Sequence, residues 1–275
     1  MSGKTIVITG ASDGIGAAAA RALAARGHEV VVVGRDPQKA RAVADEIGAE
    51  HHVADFARLD EVRSLAEALL ALHPRIDVLA NNAGGVFGTR QLTVDGHERT
   101  FQVNHLAPFL LTGLLLGRLV ESSASVIATS SLASRPATLN LDDPDLERGF
   151  ESFRAYGQSK LANILVTREL HRRFHADGVS SAAFHPGVVA SNFGATSDVL
   201  WGRFYGTRLA RRIFTPVERG ADQLVWLADG TAGRDWVSGQ YWVRRHPGRT
   251  SPLADDRELA RRLWEVSAEM VGLPG

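Results

Sequence analysis

At 275 residues the chain can bury a full core, as one large α/β domain or two small ones. Hydrophobic residues make up 44% and charged residues 23%, an ordinary balance for a soluble globular protein. The 31 basic residues are matched by 31 acidic ones, which argues against nucleic acid as a partner, and the absence of cysteine excludes disulfides, thiolate chemistry and cysteine-based metal sites.

The chain opens on "MSGKTIVITG", which enters a strand without a signal peptide's apolar segment, so a reducing, cytoplasmic location is the expectation. A glycine-rich turn and an alanine-rich helix follow, and Gly27 is placed to end that helix. "EVVVVG" (29–34) does not alternate and reads as a strand buried on both faces. Residues 36–48 read as a helix, "EHHVAD" as a short strand, and 59–72 as a helix with apolar residues at Leu59, Val62, Leu65, Leu69 and Leu72. His51 and His52 lack ligand spacing and carboxylate partners, so they read as a strand end and no metal site is expected.

"RIDVLANN" and "ASVIATSS" supply the fourth and fifth strands. Between them, "HLAPFLLTGLLLGRLV" (105–120) is the most apolar stretch of the chain. It falls short of the roughly 20 residues a spanning helix needs, and Arg118 interrupts it, so a core helix is predicted and no membrane partner. An acidic, turn-rich segment near 135–150 reads as an insertion loop, and "VSSAAFHPG" as a sixth strand. The aromatic and arginine-rich segment near 192–214 reads as a flap over the substrate, which predicts a hydrophobic small molecule. "TPVERGADQLVWLAD" begins a helix with Thr215 as N-cap, Pro216 at N1 and Glu218 completing a capping box. The last helix, "ELARRLWEVSAEMVGL", is amphipathic, and its Leu263 and Trp264 are expected to pack on the core or on a subunit partner, leaving a homodimer or homotetramer open.

Strand and helix alternate as in a parallel sheet with helices on both faces, and a doubly wound sheet of the Rossmann type is predicted. No linker divides residues 1–275, so one domain is predicted.

"TGASDGIG" (9–16) joins the first strand to the first helix, where free N–H groups and the helix dipole attract phosphate. Gly10 permits the tight turn, Gly14 lets the backbone approach a pyrophosphate, and Gly16 lets the helix sit close to the sheet. At the end of the second strand stands Arg35, whose guanidinium suits the 2′-phosphate of NADP, although Asp36 one residue on keeps NAD as the second choice, and a solvated "RD" turn capping the next helix is compatible with either.

Of the 31 basic residues only three are lysines, and Lys160 is one of them. In "YGQSK" it lies at i+4 from Tyr156, on the same face of a helix. An ammonium beside a phenol lowers the tyrosine pKa from about 10 toward neutrality, as a proton donor to a carbonyl requires.

With the glycine turn, this pair resembles the short-chain dehydrogenase/reductases. "NNAG" (81–84) looks like the motif ending that family's fourth strand, "VNHLAPFLLT" places Asn104 at its catalytic asparagine, and "ATSSLAS" places Ser131 at its catalytic serine. The interval of about 25 residues from Ser131 to Tyr156, with "SKLANILVTREL" and "HPGVVASNF", is similar to the retinol-dehydrogenase-like branch, which favours NADP. The chain departs from that branch in Ser191 where threonine is usual and in "LAPF" after "VNH", and it is expected to lack the branch's N-terminal membrane anchor.

The resemblance implies an oxidoreductase that moves hydride between a nicotinamide and a carbonyl or alcohol carbon. Tyr156 would be its acid and base, Lys160 would hold the nicotinamide ribose, Ser131 the substrate oxygen, and Asn104 a water relaying protons to Lys160. It further implies that Gly10, Ser12, Asp13, Gly14, Ile15 and Gly16 line the phosphates and that Asp55 contacts the adenine. Asn82 and Gly84 would flank the adenosine ribose, and Pro186, Gly187, Val189 and Ser191 would touch the nicotinamide. A C=C reductase on the same scaffold and a non-catalytic NADP-binding sensor are the alternatives.

Overall fold

A computed structural model describes residues 3–187 and 216–274. Strand β1 (Thr5–Thr9) is buried at every residue, because a central parallel strand is covered on both faces. It is followed by α1 (Gly14–Ala24), β2 (Glu29–Gly34), α2 (Pro37–Ile47), β3 (Glu50–Val53), α3 (Leu59–Leu72) and β4 (Val78–Asn81). Then come α4 (Arg99–Glu121), β5 (Ser125–Thr129), α5 (Ser152–Phe174) and β6 (Ser180–His185). After the undescribed stretch lie α6 (Val217–Asp229), β7 (Gln240–Val243), β8 (His246–Pro247) and α7 (Arg257–Val271).

The sheet order is β3-β2-β1-β4-β5-β6-β7-β8, and every pairing is parallel except the last. One face is covered by α3, α4, α5 and α7, the other by α1, α2 and α6. The winding direction reverses between β1 and β4, and such a switch point opens a crevice at the carboxyl ends of the strands. By length and composition alone α4 could cross a membrane, but its Leu106, Leu110, Leu111, Leu115 and Leu119 are sealed in the core with no exposed surface. Trp264 of α7 meets Phe109 of α4 edge to face at 4.9 Å, and Leu263 beside it is fully buried.

Two local expectations need correction. Helix α6 begins at Val217, with Pro216 in extended backbone (φ −53°, ψ 148°) at the cap and no side-chain capping bond. A proline fixes φ but leaves ψ free, so it suits the position before a helix as well as the first turn; Thr215 lies outside the described residues. The hairpin β7–β8 was not foreseen. Its two-residue turn holds Arg244 and Arg245 at φ 51° and 63°, where asparagine and glycine are the usual occupants, so its composition carries no turn signal. Tertiary contact supplies what composition lacks: Arg245 N donates to Gln223 Oε1 of α6 at 2.6 Å.

Residues 135–151 contain no helix or strand beyond turns. They are stitched to their surroundings: Asp145 Oδ1 accepts from Glu98 N at 2.7 Å, and Pro144 O accepts from Gln158 Nε2 of α5 at 2.7 Å. The segment proposed as a substrate flap, 192–214, lies outside the described residues, as do Val189 and Ser191.

Candidate active site

The crevice at the switch point is a cleft of roughly 340 Å³. Its floor is the glycine turn. Gly10 has φ +67°, and a Cβ there would come within 2.8 Å of Ala83 Cα; a Cβ on Gly16 would overlap Gly10 O. The turn can therefore fold this tightly only without side chains. Asp13 caps α1 by accepting from Gly14 N at 2.7 Å, and Ser12, Gly14 and Ile15 line the cleft with it. Backbone curled into such a cradle at a helix start suits a dinucleotide's pyrophosphate.

Asn82 ties three strand ends together. Its Nδ2 donates to Thr9 O at 3.0 Å and its Oδ1 accepts from Thr129 Oγ1 at 3.1 Å. Gly84 lies close to the opposite end, where a Cβ would sit 2.7 Å from Asn104 Oδ1 and 3.2 Å from Lys160 Nζ. Asp55 also lines the cleft, with its Oδ1 accepting from Ala57 N at 3.0 Å.

At the outer end Arg35 borders the cleft beside Ser12 and Gly34. Asp36 is occupied as the N-cap of α2, its Oδ1 accepting from Gln38 N at 3.0 Å and Lys39 N at 3.1 Å. Lys39 reaches back to Asp13 Oδ2 at 3.0 Å, which adds a second cation to this end. Sequence reasoning passed over Lys39, which lies in the first turn of α2.

At the inner end the four residues singled out from the sequence converge. Tyr156 is hydrogen-bonded to Ser131. Ser131 lines the cleft and caps a 3₁₀ turn (Leu132–Ser134), whereas Ser130 is buried and donates to Lys160 O at 2.7 Å. Lys160 is 1% exposed, lies 5.6 Å from the Tyr156 ring centre and donates from Nζ to Thr129 O at 3.0 Å.

Asn104 sits in a widened π turn, Gln102–Leu106, where Ala107 N bonds Gln102 O. Pro108, four residues after Asn104, has no N–H for the Asn104 carbonyl. That carbonyl accepts instead from Asn163 Nδ2 of α5 at 3.0 Å. The Asn104 side chain is clamped on Gly85 by a reciprocal pair of bonds at 2.8 and 2.9 Å. Asn163, three residues beyond Lys160 on the same helix face, was within reach of the periodicity argument and went unread. His105, held by Ser267 Oγ at 2.8 Å, has its pKa lowered to about 4 by burial and is neutral at physiological pH.

The electrostatics of the pair differ from the sequence expectation. In the protein by itself, burial raises Tyr156 to about 12, with the Ser131 bond pulling the other way, and burial lowers Lys160 to about 7. Both groups have lost water, so each favours its neutral form, and desolvation outweighs the attraction that spacing alone suggested.

Beside them stand two further polar groups that the sequence did not announce. His185, whose pKa burial lowers to about 4, lines the cleft just before Pro186 and Gly187. Its Nδ1 and the buried Tyr241 hydroxyl have no hydrogen-bond partner among the described residues.

A Rossmann sheet, a phosphate cradle and a cleft lined by Tyr156 and Ser131, with Lys160 and Asn104 buried against its wall at Gly84, define a nicotinamide-dependent oxidoreductase. The chain belongs to the short chain dehydrogenase family, whose pattern it matches over residues 4–198, and within it to the retinol-dehydrogenase-like branch. It is 42% identical to the "Putative daunorubicin C-13 ketoreductase DnrU" of Streptomyces sp. (strain C5), over 98% of this chain and 93% of that protein. It is 39% identical to retinol dehydrogenase 13 of Homo sapiens, over 98% of this chain and 85% of that one. The solved "Pseudomonas aeruginosa RhlG/NADP active-site complex" shares 26% identity and superimposes with a TM-score of 0.70, over 88% of this chain and 94% of that one.

Proposed function

We propose that this chain is an NADP-dependent oxidoreductase of carbonyl and alcohol groups on hydrophobic small molecules, working in the cytoplasm. The dinucleotide, when bound, supplies or accepts the hydride. Tyr156 gives its phenolic proton to the carbonyl oxygen in reduction and takes it back in oxidation. Ser131 bonds that same oxygen and orients the phenol. Lys160 holds the nicotinamide ribose, and its ammonium form lowers the cost of a phenolate. Asn104 and Asn163 keep the wall behind Lys160 polar, which suits a water that returns protons to it.

The observation that carries the cofactor choice is the capping role of Asp36. With its Oδ1 engaged by two backbone N–H groups of α2, Asp36 does not line the cleft, whereas Arg35 does. A guanidinium there matches a 2′-phosphate in charge and in its paired donors. The hydrophobic substrate class is supported by Phe87 and Val103 at the inner cleft and by the ketoreductase and retinol dehydrogenase names of the relatives.

Fluorescence titration with NADPH and NADH tests the cofactor. The wild type should prefer NADPH, and Arg35→Ala should weaken NADPH by about 10- to 100-fold, the size of a charge-assisted bidentate contact, with little change for NADH. Equal losses would reject Arg35 as the phosphate ligand. Product analysis from a ketone and an enone panel then tests the reaction, since saturation of the C=C bond in preference to the carbonyl would favour the other chemistry.

A further inference from the structure

The rim of the sheet opposite the cleft carries a second cluster of reactive side chains. Glu50 and His52 are alternate residues of the edge strand β3, so they project from the same face, and His51 between them projects from the other. That alternation corrects the sequence reading, in which the adjacent histidines were weighed as a pair and found without a carboxylate. Glu50 is the missing partner: its Oε1 lies 2.7 Å from His52 Nε2.

His73, the residue that ends α3, comes down on the same spot. It is 4% exposed, and its Nε2 has no hydrogen-bond partner among the described residues. The nearest carboxylate oxygen, Glu50 Oε2, approaches to 3.3 Å without the alignment of a hydrogen bond. A buried imidazole nitrogen with no aligned hydrogen bond, only a carboxylate beside it, is costly and needs an explanation.

The geometry points to a binding site for a late first-row divalent cation, of the zinc, cobalt or nickel type, held by Glu50, His52 and His73. One ligand atom from each of the three lies within 4.8 Å of the others. Bonds of about 2.0–2.1 Å at tetrahedral angles need donors only slightly over 3 Å apart, a separation that small side-chain rotations supply. Two imidazoles and a carboxylate form the donor set that such ions prefer over magnesium or calcium, and they leave a position for water.

The surroundings are arranged as an outer shell. His73 Nδ1 faces Glu29 Oε1 at 3.8 Å, and Thr5 Oγ1 donates to the other oxygen of Glu29 at 3.1 Å. A carboxylate behind a ligating histidine fixes its ring and raises its basicity. The His73 main chain is pinned by Leu69 O on its N–H and by the Arg118 guanidinium on its carbonyl, and the charge of Arg118 is met by Glu121 at 3.2 Å. Glu50 is 38% exposed, which leaves an entry for the ion. Bound there, a cation would clip the edge strand to the end of α3. None of its three ligands lines the cleft, which sets it apart from the chemistry there.

The test uses the untagged full chain, stripped with a chelator and titrated with Zn²⁺ against a chromophoric competitor. One ion per chain is expected, with affinity falling at least about tenfold in His52→Ala and in Glu50→Gln. Co²⁺ should show the intense visible bands of a four-coordinate site in the wild type and not in His52→Ala. Zn²⁺ should raise the wild-type melting temperature and leave that of His52→Ala unchanged, while oxidoreductase turnover is retained. Equal Zn²⁺ affinity in wild type and His52→Ala, or a Co²⁺ spectrum that stays that of the aqua ion, would overturn the site. His73→Gln is the most direct variant, but His73 is buried; should that variant not fold, the His52 and Glu50 variants decide alone.

Discussion

Each end of the cleft has a lysine behind its lining, Lys39 behind Asp13 and Lys160 behind Gly84, under opposite conditions. Lys39, at the outer end, is exposed and paired with Asp13, which raises its pKa; Lys160, at the inner end, is sealed from water, and burial lowers its pKa to about 7. An exposed charge is screened and works additively with its neighbours, so the outer end should behave as a binding surface sensitive to salt. A buried charge is set by desolvation and by a few fixed contacts, so the inner end should respond in an all-or-none way to small changes.

The largest effect should come from the inner end. Tyr156→Phe removes the proton donor and should lower kcat by about 10²- to 10⁴-fold, the range of general acid catalysis, with NADPH affinity kept. Near-wild-type turnover would remove Tyr156 from the chemistry.

The next test asks whether Lys160 is poised by burial. At pH 8, above its lowered value of about 7, the amine is mostly neutral, and an anionic dinucleotide beside it favours the ammonium. NADPH binding should therefore take up protons at pH 8, seen by calorimetry as an enthalpy that varies with the buffer's ionisation heat. Uptake should fade as the pH drops below 7, and it should vanish in Lys160→Met. Buffer-independent heats at pH 8 would mean that the amine is already charged in the free protein.

The smallest effect belongs to the outer end. Lys39→Ala should weaken NADPH by only a few-fold at low salt, with the difference shrinking as salt is added, because a solvated charge contributes little. A loss as large as that of Tyr156→Phe in kcat would erase the contrast between the two ends.

Much of this arrangement was legible in the chain. The turn "TGASDGIG", the i, i+4 spacing of Tyr156 and Lys160, and the unbroken apolar strands follow from local rules of backbone freedom and periodicity. The order of motifs along the chain was enough to bring Asn104, Ser131, Tyr156 and Lys160 into one reading. The choice for Asp36 between capping a helix and facing a ligand stayed open, and the role of Lys39 went unread, because which of several adjacent polar side chains does which depends on ψ and on rotamers. The pKa values were misread for a related reason: spacing reports which charges are near, while burial reports what they have lost.

The sequence by itself determined the doubly wound sheet and the glycine cradle, which rest on a repeating apolar pattern and on residues close together, while the resemblance to a family pointed to Asn104, Ser131, Tyr156 and Lys160. Only the tertiary structure decided that Asn163 holds the carbonyl that Pro108 leaves without a donor, that two arginines turn the last hairpin, and that Glu50, His52 and His73 meet at one corner. In each case the partners come from different elements, and what joins them is the satisfaction of a polar group or the packing of a helix end on a strand. No local pattern encodes that kind of contact.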